Sequence, residues 1–288
     1  MWIDLAHVCR TWRAIVFASS SRLDLGITIG PIKPHHIKTI LSGSLPIFIN
    51  YKDVDGLLGS ALWRMRAALE QRDRVREIFI DRMSTTFDKF FKETHCPFPA
   101  LESLFICFKY DYQPKLPDTF LRGPDISNLC LRRLKLERTS LASISGFLLS
   151  AKALTNLSLQ IDTAFCTSAE TSLLACLQGM PCLRRLDLSL TQTSLSLPLT
   201  YRPNDIVLLS KLTWFRFVGH SVFLDALVVG VSAPSLRDVD LKFSNEFWPP
   251  IVHFPRFINE IEEQYHAVHV VFQGWHSHLW LLTHSEYD

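Results

Sequence analysis

The residues of this sequence that could do chemistry are few, and their spacing suits little of it. Gly219-His220-Ser221-Val222-Phe223 comes nearest to the nucleophile turn G-x-S-x-G. It lacks the last glycine, without which the tight strand-to-helix elbow that presents a serine is hard to form. Metal chemistry would draw on eleven histidines. His276 and His278 stand two apart, His35 and His36 are adjacent, and His95 precedes Cys96, yet none has a Cys or His partner at finger spacing. Asp238 and Asp240 would share one strand face. A paired-carboxylate hydrolase also needs a cleft around the scissile bond, which a strand face does not supply. No glycine-rich phosphate loop or Walker pattern occurs. The expectation is therefore a non-enzyme, with no catalytic residues, no metal and no cofactor.

The elements that would have to position any site are set by composition and periodicity. The chain has 288 residues, 48% of them hydrophobic and 20% charged, with a formal net charge of +2. That content excludes disorder as the main state. The charge is too balanced to argue for a nucleic-acid partner. No apolar run of about 18 residues is present, so no membrane span is expected. The start, Met1-Trp-Ile-Asp-Leu-Ala-His7, has no basic region ahead of an apolar core and does not read as a secretory signal. Seven cysteines, an odd number without a Cys-x-x-Cys, suit a reducing cytoplasm or nucleus.

Leucine is the outlier, with 43 in all and 24 of them between Leu101 and Thr200. Local enrichment of that kind asks for a repeat search. One phrase, L-x-x-L-x-L, recurs from Leu101, Leu131, Leu154 and Leu183, with looser copies from Val75, Leu212 and Leu236. The successive starts are 26, 30, 23, 29, 29 and 24 residues apart. The L-x-L alternation predicts a strand with one buried face. Between the phrases lie helical spacings at Val54 to Glu70, Ser168 to Leu177, Val222 to Val231 and Pro255 to Tyr265. Earlier strands are expected at Arg22 to Ile27 and Leu45 to Ile49, with a short helix at His35 to Leu41. A last strand is expected at Val268 to Phe272, followed by a capping tail from Gly274 to Asp288. A strand-turn-helix unit cannot bury its apolar face alone, and stacking does so. The fold class that follows is α/β, an irregular leucine-rich-repeat solenoid with parallel strands on its concave face and helices outside. An ordinary α/β domain with leucine-rich strands is the competing reading. The turns after the strands lack the Asn that commonly closes them, so other groups must do so.

The positions between the leucines point to the concave surface. Those of interest as a partner-binding face are Phe105, Arg133, Lys135, Arg185, Trp214, Arg216, Asp238 and Asp240. Trp214 beside Arg216 has the aromatic-plus-arginine character of an interface anchor. The basic middle predicts a protein target with an acidic segment.

At the N-terminus, Leu5, Val8, Cys9, Trp12 and Ile15 form an apolar stripe at helical spacing. The stretch Leu5-Ala-His-Val-Cys-Arg-Thr-Trp-Arg-Ala-Ile-Val16 resembles the second half of an F-box, and Ala18 to Leu25 resembles the passage from F-box into first strand. With Leu45-Pro-Ile-Phe-Ile49, Phe98-Pro-Ala-Leu101, Leu116-Pro-Asp-Thr-Phe-Leu121 and Ala233-Pro-Ser-Leu236, the chain resembles fungal F-box/leucine-rich-repeat proteins over most of its length. The resemblance implies an F-box remnant helix over 1–21 and a solenoid with a C-terminal cap over 22–288. It implies a substrate receptor of an SCF-type cullin-RING ubiquitin ligase, the stripe docking on a Skp-type adaptor and the repeats holding a target protein. The first helices of an F-box, with their Leu-Pro-x-Glu start, have no counterpart here. The alternative is a ligase-independent interaction scaffold that has lost a functional F-box.

Overall fold

The computed structural model describes residues 9–11, 27–29, 45–52, 66–83, 98–108, 130–161, 169–190, 206–243, 252–259, 267–273 and 276–282. Each repeated phrase runs into a strand: β3 (Val75–Met83), β4 (Ser103–Phe108), β5 (Arg133–Thr139), β6 (Asn156–Ile161), β7 (Arg185–Leu190), β9 (Trp214–Gly219) and β11 (Asp238–Phe243). Two earlier strands, β1 (Ile27–Ile29) and β2 (Ile47–Lys52), begin the series. The short β8 (Val207–Leu208) and β10 (Val231–Ser232) pair with each other in a separate ribbon. The described helices include α1 (Leu141–Ser150), α2 (Ala169–Gln178), α3 (Ser221–Val229) and α4 (Phe254–Asn259). The protein is thus mixed α/β, built on an eleven-stranded sheet.

Strand order follows chain order from β1 to β11, and every pairing along that series is parallel. The far edge departs from expectation. The strand anticipated over Val268 to Phe272 is β12 (Ala267–Gln273), but it is not the last. The segment expected only to cap the stack contains β13 (His276–Leu282), which inserts antiparallel between β11 and β12. A hairpin permits this because its return strand needs no crossover.

Within the sheet the alternation is carried through. In β6, β7, β9 and β11 the residues at every second position are buried, as in Leu157-x-Leu159-x-Ile161 and Leu186-x-Leu188-x-Leu190. The buried leucines join helix residues such as Phe147, Leu148, Leu173, Leu177, Phe223 and Leu227 in one core running from Ile47 to Phe257. Phe217 of β9 stacks on Phe223 of α3 with ring centres 6.2 Å apart, and Phe215 meets Phe257 of α4 edge-on at 6.5 Å. The helices therefore cover the leucine face. Cys107, two residues on from Phe105 and in register with Glu137, is buried together with Ile106 and Phe108 at the end of β4. Helix α1 was not anticipated: its sequence, LASISGFLLS, is apolar on several sides and lacks a clean stripe.

Two backbone devices repeat with the phrase. Three residues before five of the leading leucines sits a buried apolar residue whose carbonyl accepts the leucine N–H. The pairs are Phe98 with Leu101, Ala151 with Leu154, Met180 with Leu183, Leu209 with Leu212 and Ala233 with Leu236, at 3.1 to 3.3 Å. One carbonyl per phrase then accepts two successive N–H groups of the next: Glu102 takes Arg132 and Arg133, Arg132 takes Thr155 and Asn156, and Thr155 takes Arg184 and Arg185. Arg184 in turn takes Thr213 and Trp214, and Thr213 takes Arg237 and Asp238.

Other groups close the turns that lack Asn. After β5, the buried Thr139 hydroxyl lies 3.3 Å from that of Ser143, which donates to the Ser140 carbonyl at 2.7 Å. Arg138, just before, has a left-handed φ of 59°, where the register with β6 shifts. Arg74 donates through Nε and Nη2 to the Leu45 carbonyl at 3.0 and 2.8 Å and ties β2 to the start of β3. Asp225, the acid within the most apolar stretch, accepts the N–H groups of His253 and Phe254 at 2.7 and 3.1 Å and so caps α4 from α3.

Two stability outcomes follow. A Cβ at Gly219 (φ 157°) would lie 3.0 Å from the Leu190 Cβ and 3.1 Å from the Phe217 ring. Gly219→Ala is expected to cost about 1–3 kcal/mol by overpacking, read from the urea midpoint with the slope unchanged. Asp225→Ala removes the carboxylate that accepts two helix-start N–H groups. It is expected to cost about 1 kcal/mol in the same assay, with Asp225→Asn retaining much of the difference.

Candidate functional site

The face opposite the helices is a lattice of side chains placed by strand register. One row across the sheet reads Phe48, Glu77, Ser103, Arg133, Asn156, Arg185, Trp214 and Asp238. The next reads Asn50, Phe79, Phe105, Lys135, Ser158, Asp187, Arg216 and Asp240, reaching the register position of Trp280. A groove of about 600 Å³ lies on these rows, lined from Glu77, Phe79 and Phe105 at one end to Arg185, Asp187 and Trp214 at the other. Small Asn156 and Ser158 form its floor between larger neighbours.

Register determines the contacts. Phe79 and Phe105 stack with ring centres 4.2 Å apart and planes 10° from parallel, and the Lys135 ammonium lies 5.0 Å from the Phe105 centre. Lys135 also pairs with Glu137 two residues on, at 2.9 Å. Arg133 reaches past small Ser103 to Glu77 at 3.5 Å while its side chain stays 60% exposed. Ser158 donates to Asp187 at 3.2 Å.

Of the residues expected on the binding face, Phe105, Arg133, Lys135, Arg185 and Trp214 come together in the groove. Arg216, Asp238 and Asp240 share the face but do not line it. Trp214 and Arg216, expected to act together as an anchor, have different surroundings. Arg216 stands in register between Asp187 and Asp240, its Nε 3.3 Å from the Asp240 carboxylate. That nitrogen and the second Asp240 oxygen are both shut off from solvent without a hydrogen-bond partner among the described residues. Arg216 therefore balances neighbouring carboxylates, and the arginine beside Trp214 in the groove is Arg185, its direct register partner. Arg132 and Arg184 were not singled out as binding residues. The signal was present, since Leu131-Arg-Arg-Leu134 and Leu183-Arg-Arg-Leu186 each hold a second arginine at the start of the strand.

Of the adaptor stripe, Leu5, Val8, Trp12 and Ile15 lie outside the described residues; Cys9 is exposed, next to a helical Arg10 and Thr11. His35, His36, His95 and Cys96 also lie outside them. Ser221 is 4% exposed at the start of α3, on the covered side of the sheet. Among the described residues no three His, Cys, Asp or Glu side chains gather as a metal site would require. No described helix is long and apolar enough to cross a membrane. Burial pushes the Cys176 thiol up to about 11, with its Sγ 3.8 Å from the Ser145 carbonyl of α1, which leaves it a packing group.

The described elements define a mixed α/β protein whose largely parallel sheet is helix-covered on one face and carries an aromatic-edged groove on the other. Compared with known proteins, the chain matches no family model and no curated protein sequence.

His220 sits between β9 and α3 with its Nε2 shut off from solvent and unpartnered among the described residues. Burial holds its imidazole below the ordinary 6.5. The unfolded chain takes up a proton as pH falls through the ordinary imidazole range, while the folded chain resists it. Stability is therefore full above that range and declines as pH drops through it. The expected outcome is a melting temperature that falls between about pH 8 and pH 5.5, with a shallower fall in His220→Gln.

Proposed function

We propose that this protein is a non-enzymatic recognition module, a leucine-rich-repeat solenoid whose open sheet face holds a target protein. The observation that carries the reading is the groove on that face, where aromatic side chains (Phe79, Phe105, Trp214) edge a floor of small polar ones and arginines stand at the strand starts. Aromatic residues and arginine in a partly enclosed patch are the composition of an interface core. Parallel sheets are ordinarily covered on both faces. A sheet that keeps one face polar while stacking strands in chain order supports the repeat reading over a doubly wound domain. The burial of Ser221 favours recognition over hydrolysis at that position.

Within that reading, the resemblance of Leu5 to Val16 to the second half of an F-box supports the role of substrate receptor in an SCF-type ubiquitin ligase. A ligase-independent scaffold is the alternative. Co-expression with a Skp-type adaptor separates them: a stable complex that Trp12→Ala disrupts supports the receptor, and no complex supports the scaffold.

The face itself is tested with captured partners. Proteins retained by the wild type are identified, and their dissociation constants are measured against Trp214→Ala and Phe105→Ala. Each substitution is expected to weaken binding about tenfold or more, the ordinary cost of removing an aromatic interface anchor. Undiminished binding to both variants, with circular dichroism unchanged, would place recognition elsewhere.

A further inference from the structure

Two Arg-Arg pairs, of which Arg133 and Arg185 line the groove and Arg132 and Arg184 precede them at the strand starts, form a charge pattern that narrows the groove's occupant. Arg133 and Arg185 are in register with Asn156 between them, so their strands are two spacings, about 10 Å, apart. Arg132 and Arg184 precede them, with Thr155 between. All four arginines are exposed. Their backbone is held firmly: the Arg132 carbonyl accepts from Thr155 N, Asn156 N and the Thr155 hydroxyl, and the Thr155 carbonyl accepts from Arg184 N and Arg185 N. The side chains of Arg132, Arg184 and Arg185 make no ion pair or hydrogen bond among the described residues. Arg133 has only the 3.5 Å contact with Glu77 at the groove's end.

Nearby acids are already engaged. Glu102 is paired with Arg76 at 2.6 Å, Asp187 accepts from Ser158, and Glu137 holds Lys135. Exposed Lys152, Lys211 and Arg237 continue the same sign along the rim where the strands begin. The rim is thus locally basic on a chain whose net charge is only +2. Guanidinium pairs match carboxylates by two-point hydrogen bonding. A chain in the extended polyproline-II form advances about 3.1 Å per residue with three residues per turn, so acids three positions apart lie on one side and span the ~10 Å between the pairs. Trp214, the register partner of Arg185, offers an apolar surface just beyond the second pair.

We infer that the two arginine pairs form two carboxylate stations, and that the groove takes an extended acidic peptide segment with acids three positions apart and an apolar side chain seated on Trp214. The inference rests on the recognition reading and names the partner class. A peptide is favoured over a nucleic acid because Glu77 lines the groove beyond Arg133 and Asp187 lines it two residues after Arg185, where an unbroken run of phosphates would be repelled.

The probe is a fluorescein-labelled peptide of about ten residues, Ser and Gly apart from two Glu three positions apart and a flanking Leu, made with Leu at either end. Fluorescence anisotropy on the full chain should show saturable binding of one peptide that weakens as salt rises. The doubles Arg132→Gln/Arg133→Gln and Arg184→Gln/Arg185→Gln should each weaken it about tenfold or more, as should moving the two Glu to adjacent positions. All four positions are exposed, and circular dichroism checks that the variants fold. Absence of binding, equal binding by wild type and both doubles, or displacement by a single-stranded oligothymidylate of similar length would overturn the inference. The two readings fail separately. Captured partners that depend on Trp214 and Phe105 but ignore the arginine pairs sink only the acidic-segment inference. Partners that ignore all of these positions sink the recognition face with it.

Discussion

The structure depends on one interaction repeated phrase by phrase: the in-register stacking of each strand start on the one before. A single carbonyl accepts two successive N–H groups of the following phrase, from Glu102 through Arg132, Thr155, Arg184 and Thr213. A one-residue slip anywhere would turn the leucines to the open face and the arginines to the core. The shared carbonyls and the buried leucines therefore enforce the same register from two directions, one through hydrogen bonds and the other through the cost of exposing apolar surface. Helix packing is the complement of this, since α1 to α4 cover only the face the leucines occupy.

The open face inherits its order from that register. Side chains there meet their neighbours because the backbones of successive phrases are aligned, as with Phe79 on Phe105 and Ser158 on Asp187. The same alignment sorts the charges. At the β9–β11 end, Arg216 lies between aspartates and is internally balanced. At the strand starts of β5 and β7, paired arginines have uncharged Asn156 and Thr155 between them and stay exposed, with Arg133 3.5 Å from Glu77. A face that would read from composition as alternating charge is thus divided into a neutralised end and a receptive one.

Much of this was legible beforehand. The strands, the buried leucines, helices α2 and α3 and five of the groove residues follow from a period of two set against a period near 3.6. Less legible was α1, because a helix apolar on several sides shows no stripe, and a short apolar run does not tell helix from strand. Also hidden was β13, whose alternation in a His- and Trp-rich tail gives no sign that it inserts beside β11 rather than extending the series. The buried residue three places ahead of Leu101, Leu154, Leu183, Leu212 and Leu236 varies among Phe, Ala, Met and Leu. It is recognised only once its shared hydrogen bond is seen.

The sequence by itself determined which residues face inward, because side-chain alternation along a strand is local geometry. It could not determine which outward residues satisfy one another. Arg185 and Arg216 are the same kind of residue at neighbouring positions of neighbouring phrases, yet one stands open beside Trp214 and the other lies against Asp240. That difference is a matter of which strand lies alongside and in what register, and segments separated by more than twenty residues in sequence come to lie side by side only when the sheet is assembled.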